Sequence, residues 1–305
     1  MAGLRHPTVI RPRPPRQRQL SLDDDRVLSR VVRVPISYSD PRLSEQVAKG
    51  LSGLGFVDQL KGLGRRCLLM GNFNSPDPYP ASTDLGLLKV VVRKLKTLGL
   101  EVTIGASAGI PWFPSSEVTA KLGVDTLARD LDAKLWITDQ SKRWVDVETP
   151  YQGWKVLLPE RLFNFQCMVY MALMKAHRFA GFSQGMKLSM GLIHPWTRRT
   201  MHFTNLEERI AALAAVVQPD LIIADGRLSF LTGGPEAGLL AQPAVILLGS
   251  NQLTMEVQGM RELARAARQQ GIDLEVKPHE ERIISFSRKL GINSSPKGSY
   301  QLLEI

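Results

Sequence analysis

Apolar residues along this chain fall into short, nearly continuous runs, separated by stretches in which they recur at helical spacing. "RVVRVPISY", "RRCLLMGN", "EVTIGAS", "KLWITD", "FQCMVYMAL", "DLIIAD" and "AVILLGS" read as strands buried on both faces. "SEQVAKGLSGLG", "TDLGLLKVVVRKLKTLGL", "SSEVTAKLG", "NLEERIAALAAVVQ", "TMEVQGMRELARAARQQG" and "HEERIISFSRKLG" read as helices. Several of these end at glycine, the residue that best accepts the left-handed turn closing a helix. "SSEVTAKLG" also offers a serine cap. Residues 141–160, with their tryptophans, tyrosine and prolines, read as a crossover or a short antiparallel excursion, and "SYQLLEI" as an edge strand.

Strands apolar throughout and alternating with helices predict an α/β fold, with mostly parallel sheet and helices on both faces. At 305 residues the chain is long enough for two α/β lobes. The expected division is a basic arm over residues 1–28, a first lobe over 29–155 and a second over 156–305. The arm, "MAGLRHPTVIRPRPPRQRQL", carries five arginines and no acid, and supplies half of the net charge of +10. Broken by prolines and poor in apolar residues, it is expected to be disordered, and its removal to leave the fold intact. Either it is simply solvated, or it contacts a polyanion or a protein partner.

The hydrophobic fraction is 44%, ordinary for a globular chain, and no apolar run reaches the ~20 residues of a membrane helix. With no apolar signal segment, a cytoplasmic protein without membrane contact is expected. The two cysteines, Cys67 and Cys167, both sit in apolar strand-like runs, which argues against a disulfide framework, a zinc ribbon or a cysteine-ligated cluster.

In parallel sheets, ligands bind beyond the carboxyl ends of the strands. Four long polar segments follow strands here: "NFNSPDPYPAST", "ASAGIPWFPSS", "MKAHRFAGFSQGMKLSMG" and "GRLSFLTGGPEAG". The first offers Asn72, Asn74 and Asp77 to a ligand, and either Ser82 or Thr83 as a helix cap. In the last, Gly233 and Gly234 could bring backbone N–H groups to an anion. Asp225, closing the strand before it, either holds a metal or ribose or caps the turn. The third segment is the richest. Gly181 and Gly185 would let the backbone approach a bound group, and Ser183 would cap a following helix. Lys175, His177 and Lys187 crowd the same turn. A lysine drawn from water there is either an anion anchor or a nucleophile. Of the five histidines, His177, His194 and His202 cluster without zinc spacing, and His194 beside Pro195 reads as a turn residue.

These segments, in this order, resemble the family numbered 362 among the domains of unknown function, over about residues 30 to 290. That resemblance implies no activity. Some members carry ferredoxin-like cysteine motifs, and this chain has none, so no iron–sulfur cluster of its own is expected. Locally, "HRFAGFSQGMK" is similar to the "His-x-Phe-Ala-Gly-Phe-Ser-Gly-Gly-x-Lys" segment of nickel-pincer-nucleotide lactate racemases. The similarity implies His177 as acid/base, Lys187 as tether of the pincer cofactor and His202 as metal ligand. The chain departs from that pattern: "TIGASAGIPW" lacks a second acid/base histidine, and "NFNSPDPYPAST" replaces an Asp-x-Thr-Arg-like segment. Together these readings give an enzyme-like protein that binds an anionic small molecule or nucleotide-like cofactor. Its reaction would be proton or group transfer on a carboxylate. The rival reading is a non-catalytic binding or assembly protein.

Overall fold

The computed structural model describes residues 8–10, 12–17, 19, 29–60, 64–108, 113–178, 180–201, 205–272, 274, 281–292 and 300–305. Strand β1 (Thr8–Ile10) belongs to the arm, and β2 (Ser29–Pro35) opens the body. Helices α1 (Leu43–Gly53) and α2 (Phe56–Gln59) precede β3 (Arg66–Gly71), α3 (Leu85–Thr97) and β4 (Glu101–Ala106). Next come α4 (Ser115–Leu122), α5 (Val124–Asp130), β5 (Lys134–Ile137) and the strands β6 (Arg143–Glu148) and β7 (Lys155–Pro159). Strand β8 (Cys167–Leu173) leads to the short strands β9 (Lys175–His177) and β10 (Gly181–Ser183), followed by α6 (Gly185–Leu188), α7 (Pro195–Met201) and α8 (Leu206–Val216). The chain closes with β11 (Leu221–Gly226), β12 (Ser229–Phe230), β13 (Leu240–Ala241), β14 (Val245–Gly249), α9 (Gln252–Gln269), α10 (Arg282–Lys289) and β15 (Tyr300–Glu304).

One eight-stranded sheet runs β15-β2-β14-β11-β8-β3-β4-β5, so strands from both expected lobes interleave in it and meet where β3 pairs with β8. The sheet is mostly parallel; only β14 runs against both its neighbours. The carboxyl ends of β2, β3, β4, β8 and β11 therefore leave the same edge. β15 lies at the rim, as its sequence pattern predicts, and 141–160 forms the antiparallel pair β6–β7.

Successive strand residues enter different cores, as the two-residue strand period requires. Leu68, Met70, Tyr170 and Ile222 join a cluster with Ile210, Leu213, Met255 and Leu263. Cys67, Leu69, Val169 and Ile223 join another with Leu51, Leu87, Val91 and Leu95. Every side chain of β8 is buried, which is why its sequence shows no polar alternation. Cys67 and Cys167 are register partners on β3 and β8, both buried free thiols; their mutual hydrogen bond and burial push Cys167 well above the usual thiol range. Among the described residues, no helix is long and apolar enough to cross a membrane.

The expected disordered arm needs correction in its described part. β1 pairs with β6, and Arg16 lies in the body with its side chain 4% exposed. The Arg16 guanidinium donates to Asp220 Oδ2 at 2.9 Å and to the Gln218 carbonyl at 2.5 Å. Asp220, fully buried, also accepts the Gln19 and Met168 backbone N–H groups. A single arginine with a buried carboxylate waiting for it outweighs the poor hydrophobicity of its neighbours, a pairing that local composition does not reveal.

Arg16→Ala would leave a buried carboxylate without its counter-charge, which costs about 3–5 kcal/mol. Urea unfolding of the full chain checks this; a loss under ~0.5 kcal/mol, ordinary for a surface change, would return the arm to a solvated tail.

Candidate functional site

The segment leaving β3 is closed at its neck by its own backbone. The Asn72 N–H donates to Thr83 Oγ1 at 2.8 Å, and the Thr83 N–H to the Asn72 carbonyl at 2.9 Å. Ser82 Oγ donates to the Ser75 carbonyl, and Ser75 Oγ to Asp77 Oδ2. Neither Ser82 nor Thr83 caps α3: Asp84 does, accepting the Leu87 N–H at 2.8 Å, because Ser82 and Thr83 are spent inside the loop. The half-buried side chains of Asn72 and Asn74 have no hydrogen-bond partner among the described residues. The cap of α4 differs too. Its N-cap is Pro114, and Ser115 Oγ instead accepts the Ala108 N–H and bonds Asp139.

Lys175 joins three of the polar segments. Its side chain is 1% exposed, and its ammonium donates to the carbonyls of Ala81 at 2.6 Å and Pro235 at 2.9 Å, with a longer contact to Pro80 at 3.5 Å. Burial, and then the charge of Lys187, push its pKa down to about 7, while Glu236 and Asp77 oppose that shift. The carbonyls oppose it as well, since three acceptors are served only by an ammonium's three N–H bonds. Lys175 is thus a strut between loops and not an open ligand contact. Gly233 and Gly234, with φ of +74° and +62°, serve the same junction. A Cβ on Gly234 would stand 2.1 Å from the Ala176 carbonyl, so the close approach these glycines permit is to the chain's own hairpin.

The third segment is a hairpin, β9–β10, followed by one helical turn. Lys175 and His177, two apart on β9, share a face. His177 is 5% exposed and its Nδ1 accepts the Ala180 N–H at 3.2 Å, so a neutral ring carries its proton on Nε2. Gly181 takes φ of +63° at the hairpin's return. Ser183 lies in β10 and does not cap α6; Gln184 holds that position without a side-chain cap. The cap is a distant carboxylate: Glu256 of α9, fully buried, accepts the Met186 N–H at 2.7 Å and is bonded by the Gly185 N–H. The helix start expected to take a foreign anion is filled by the protein's own carboxyl group. Burial pushes Glu256 up to about 8 against the opposing pull of those two N–H groups. Gly185 leaves no room for a ligand either, since a Cβ there would press on Ile222 at 3.2 Å. Gln184 stands where the racemase segment has glycine. Its amide donates to the Met255 carbonyl, and Gly259 makes space for it: a Cβ there would lie 1.9 Å from Gln184 Oε1.

Lys187 is different. Half-buried on α6, it makes no hydrogen bond or ion pair among the described residues. Burial pushes its pKa down to about 8; Glu236 pulls it up and Arg198 pushes it down. Arg198, on α7, is itself lowered by burial, donates to Ser107 Oγ beyond β4, and lies 3.8 Å from Asp139. Lys187 feels the charges of Glu236 and Arg198, and Lys175 those of Lys187, Glu236 and Asp77, residues that come from the ends of β3, β8 and β11 and from α7.

Asp225 belongs to a neighbouring ion network. Arg227, 2% exposed, binds Asp225 at 2.7 Å and Asp84 at 2.8 Å, and its guanidinium lies over the stacked rings of Tyr38 and Tyr79. Tyr79 Oη donates to Asp225 at 2.9 Å. Both Asp225 oxygens are thereby engaged by protein donors, as the turn-closing reading expects. His194 is a turn residue as its sequence suggests, accepting the Trp196 N–H through Nδ1. His202 lies outside the described residues. Among the described residues, no three His, Cys, Asp or Glu side chains are grouped to hold a metal ion. A separate cleft lies under the arm, lined by Pro12, Arg13, Asp146, Glu148 and Lys155, and touches none of these loops.

Arg227, Tyr79, Asp84, Arg198 and Glu256 escaped the sequence reading. Arg227 directly follows the strand-end Asp225-Gly226 pair and could have been found there; Glu256, mid-helix, carries no local sign.

The profile of the family described as "Domain of unknown function (DUF362)" matches residues 68–261, which include every loop of this site. A search of curated proteins found no match. Among solved structures, the lactate racemase apoprotein from Thermoanaerobacterium thermosaccharolyticum is similar, with 12% identity and a TM-score of 0.36. The similarity covers 69% of this chain and 52% of that one, so this chain spans about half of that protein's length.

Glu256 sets a pH dependence. Its pKa is near 8 in the fold against an ordinary 4.5, so between those values the folded state holds a proton that the unfolded chain releases. Stability therefore falls as pH rises from about 4.5 to about 8 and levels off above, by an amount on the order of a few kcal/mol. Glu256→Gln keeps an acceptor for the Gly185 and Met186 N–H groups and should flatten that slope in urea unfolding at pH 5, 7 and 9. Equal slopes in both proteins would show that Glu256 is ionised throughout.

Proposed function

The chain belongs to the DUF362 family, and we propose that it binds an anionic small molecule, carboxylate or phosphate-bearing, beside Lys187 in the loops beyond the strand ends. The observation that carries this reading is the state of Lys187. Drawing an ammonium out of water is costly unless a partner compensates it. The other cations of the cluster have theirs: Arg227 has two carboxylates, Lys175 has carbonyls, and Arg198 has Ser107 and Asp139. Lys187, with Arg198 beside it, leaves positive charge that an incoming anion would satisfy. The unpartnered Asn72 and Asn74 supply neutral hydrogen-bonding groups on the β3 loop.

The reaction class we favour is proton or group transfer on a carboxylate substrate. His177 would be the proton carrier through Nε2, fixed in one tautomer by the Ala180 N–H. The rival reading, an assembly protein gripping a polyanion with its arm, has less to stand on, because Arg16 is committed to Asp220.

Calorimetric titration with malonate and with inorganic phosphate tests the site. Lys187→Ala should weaken binding at least about tenfold, about 1.4 kcal/mol, with stability unchanged within ~0.5 kcal/mol. Lys187→Arg should retain binding, since a guanidinium keeps the charge. Equal binding by wild type and Lys187→Ala, or none by wild type, would remove the reading.

A further inference from the structure

We infer that the outer edge of β15 is a self-association surface, on which a second copy of this chain pairs antiparallel about a two-fold axis at Leu302. β15 ends the eight-stranded sheet and pairs there with β2 alone. The Ile305 N–H donates to the Arg33 carbonyl at 3.1 Å. Backbone groups alternate in direction along a strand, so residues 301, 303 and 305 turn theirs to β2. Tyr300, Leu302 and Glu304 turn theirs outward, where no described strand meets them. Such a row is a template for a further strand, and edges that stay single are blunted by lysine, proline or a bulge. β15 has neither residue, and its register on β2 is unbroken. The opposite edge strand, β5, begins with the exposed Lys134.

The side chains select a second copy as the occupant. Tyr300, Leu302 and Glu304 share one face of the sheet, the face on which Tyr300 reaches Arg261 and Gln258 of α9. Antiparallel strands exchange hydrogen bonds between outward-facing residues, and an axis at Leu302 is the register that opposes all of β15 to its copy. Leu302, 43% exposed, then packs on its own counterpart. Tyr300 stands opposite Glu304 of the second copy, a residue whose side chain is 63% exposed. That carboxylate arrives beside Arg261, whose guanidinium lies 5.6 Å from the Tyr300 ring centroid and donates to Tyr300 Oη at 2.7 Å. Arg261 makes no ion pair among the described residues. The axis repeats the match on its other side, so one operation covers the leucine and brings a carboxylate to each unpaired guanidinium.

Sedimentation velocity and cysteine cross-linking of the full chain test this. An interface built on one short strand is small, so the wild type should be dimeric at about 100 µM and shift towards monomer at about 1 µM. Leu302→Lys sets two ammoniums at the axis and should be monomeric throughout, with an unchanged circular dichroism spectrum. Arg261→Glu sets like charges opposite each other and should raise the dissociation constant at least about tenfold. Leu302→Cys should form an intermolecular disulfide in oxidised glutathione, since hydrogen-bonded antiparallel partners stand about 5.5 Å apart at Cα, within disulfide reach. Gln301→Cys opposes Leu303 of the second copy and not itself, and should cross-link far more slowly. The wild type, whose Cys67 and Cys167 are buried, should not cross-link. A wild type still monomeric at about 100 µM, where the edge would be left to a strand of another protein, overturns the inference. So does a dimer that Leu302→Lys leaves intact, or cross-linking of Gln301→Cys as fast as that of Leu302→Cys.

Discussion

The loop cluster depends on one buried ammonium. Lys175 leaves the carboxyl end of the central strand pair and gives its protons to carbonyls of the β3 loop and of the β11 loop. A charged donor in a dry place binds such acceptors more strongly than a neutral one, and an unmet carbonyl there would cost roughly 1–3 kcal/mol. Loops that the sheet merely brings to one edge are thereby fixed to one another. Lys187 has no such acceptors among the described residues, so one lysine is a strut and the other an unmatched cation.

The surroundings reinforce this division. Arg227 clamps Asp84 and Asp225 beneath two stacked tyrosines, which anchors both ends of the β3 loop's approach to β11. Glu256 rises from α9 to occupy the start of α6, and so fixes the turn that carries Lys187. Each of these is a long-range pairing in which a buried ionisable group is matched by a specific partner. Such pairs contribute little net stability relative to an apolar core, but removing one member is expensive. They act here as positioning devices, and the unmatched Lys187 stands out against them.

Much of the scaffold was legible in the sequence. Fully apolar runs such as 167–173 could only be strands buried on both faces, and their alternation with helices required parallel pairing. The four loops were legible by length. The single sheet shared across residue 155 was not, because strand order is set by long-range pairing and β3 meets β8 across nearly 100 residues. Polar roles were the least legible. Ser183, Thr83 and Gly185 have the composition of caps and ligand contacts, yet Glu256, Asp84 and Ile222 take those places. Local rules name residues able to cap; a competing partner from elsewhere in the fold decides which one does. Arg16 shows the same effect, where a buried Asp220 draws in an arm whose composition reads as disordered.

The division of charge between Lys175 and Lys187 can be read directly by NMR. With lysine side chains carbon-labelled at Cε, and Lys187→Arg used to assign its signal, a pH titration follows each amine. Lys187 is predicted to titrate near pH 8, below the exposed lysines, and to move upward when malonate is added. Titration of Lys187 together with the ordinary lysines above pH 10 would contradict the account at its centre.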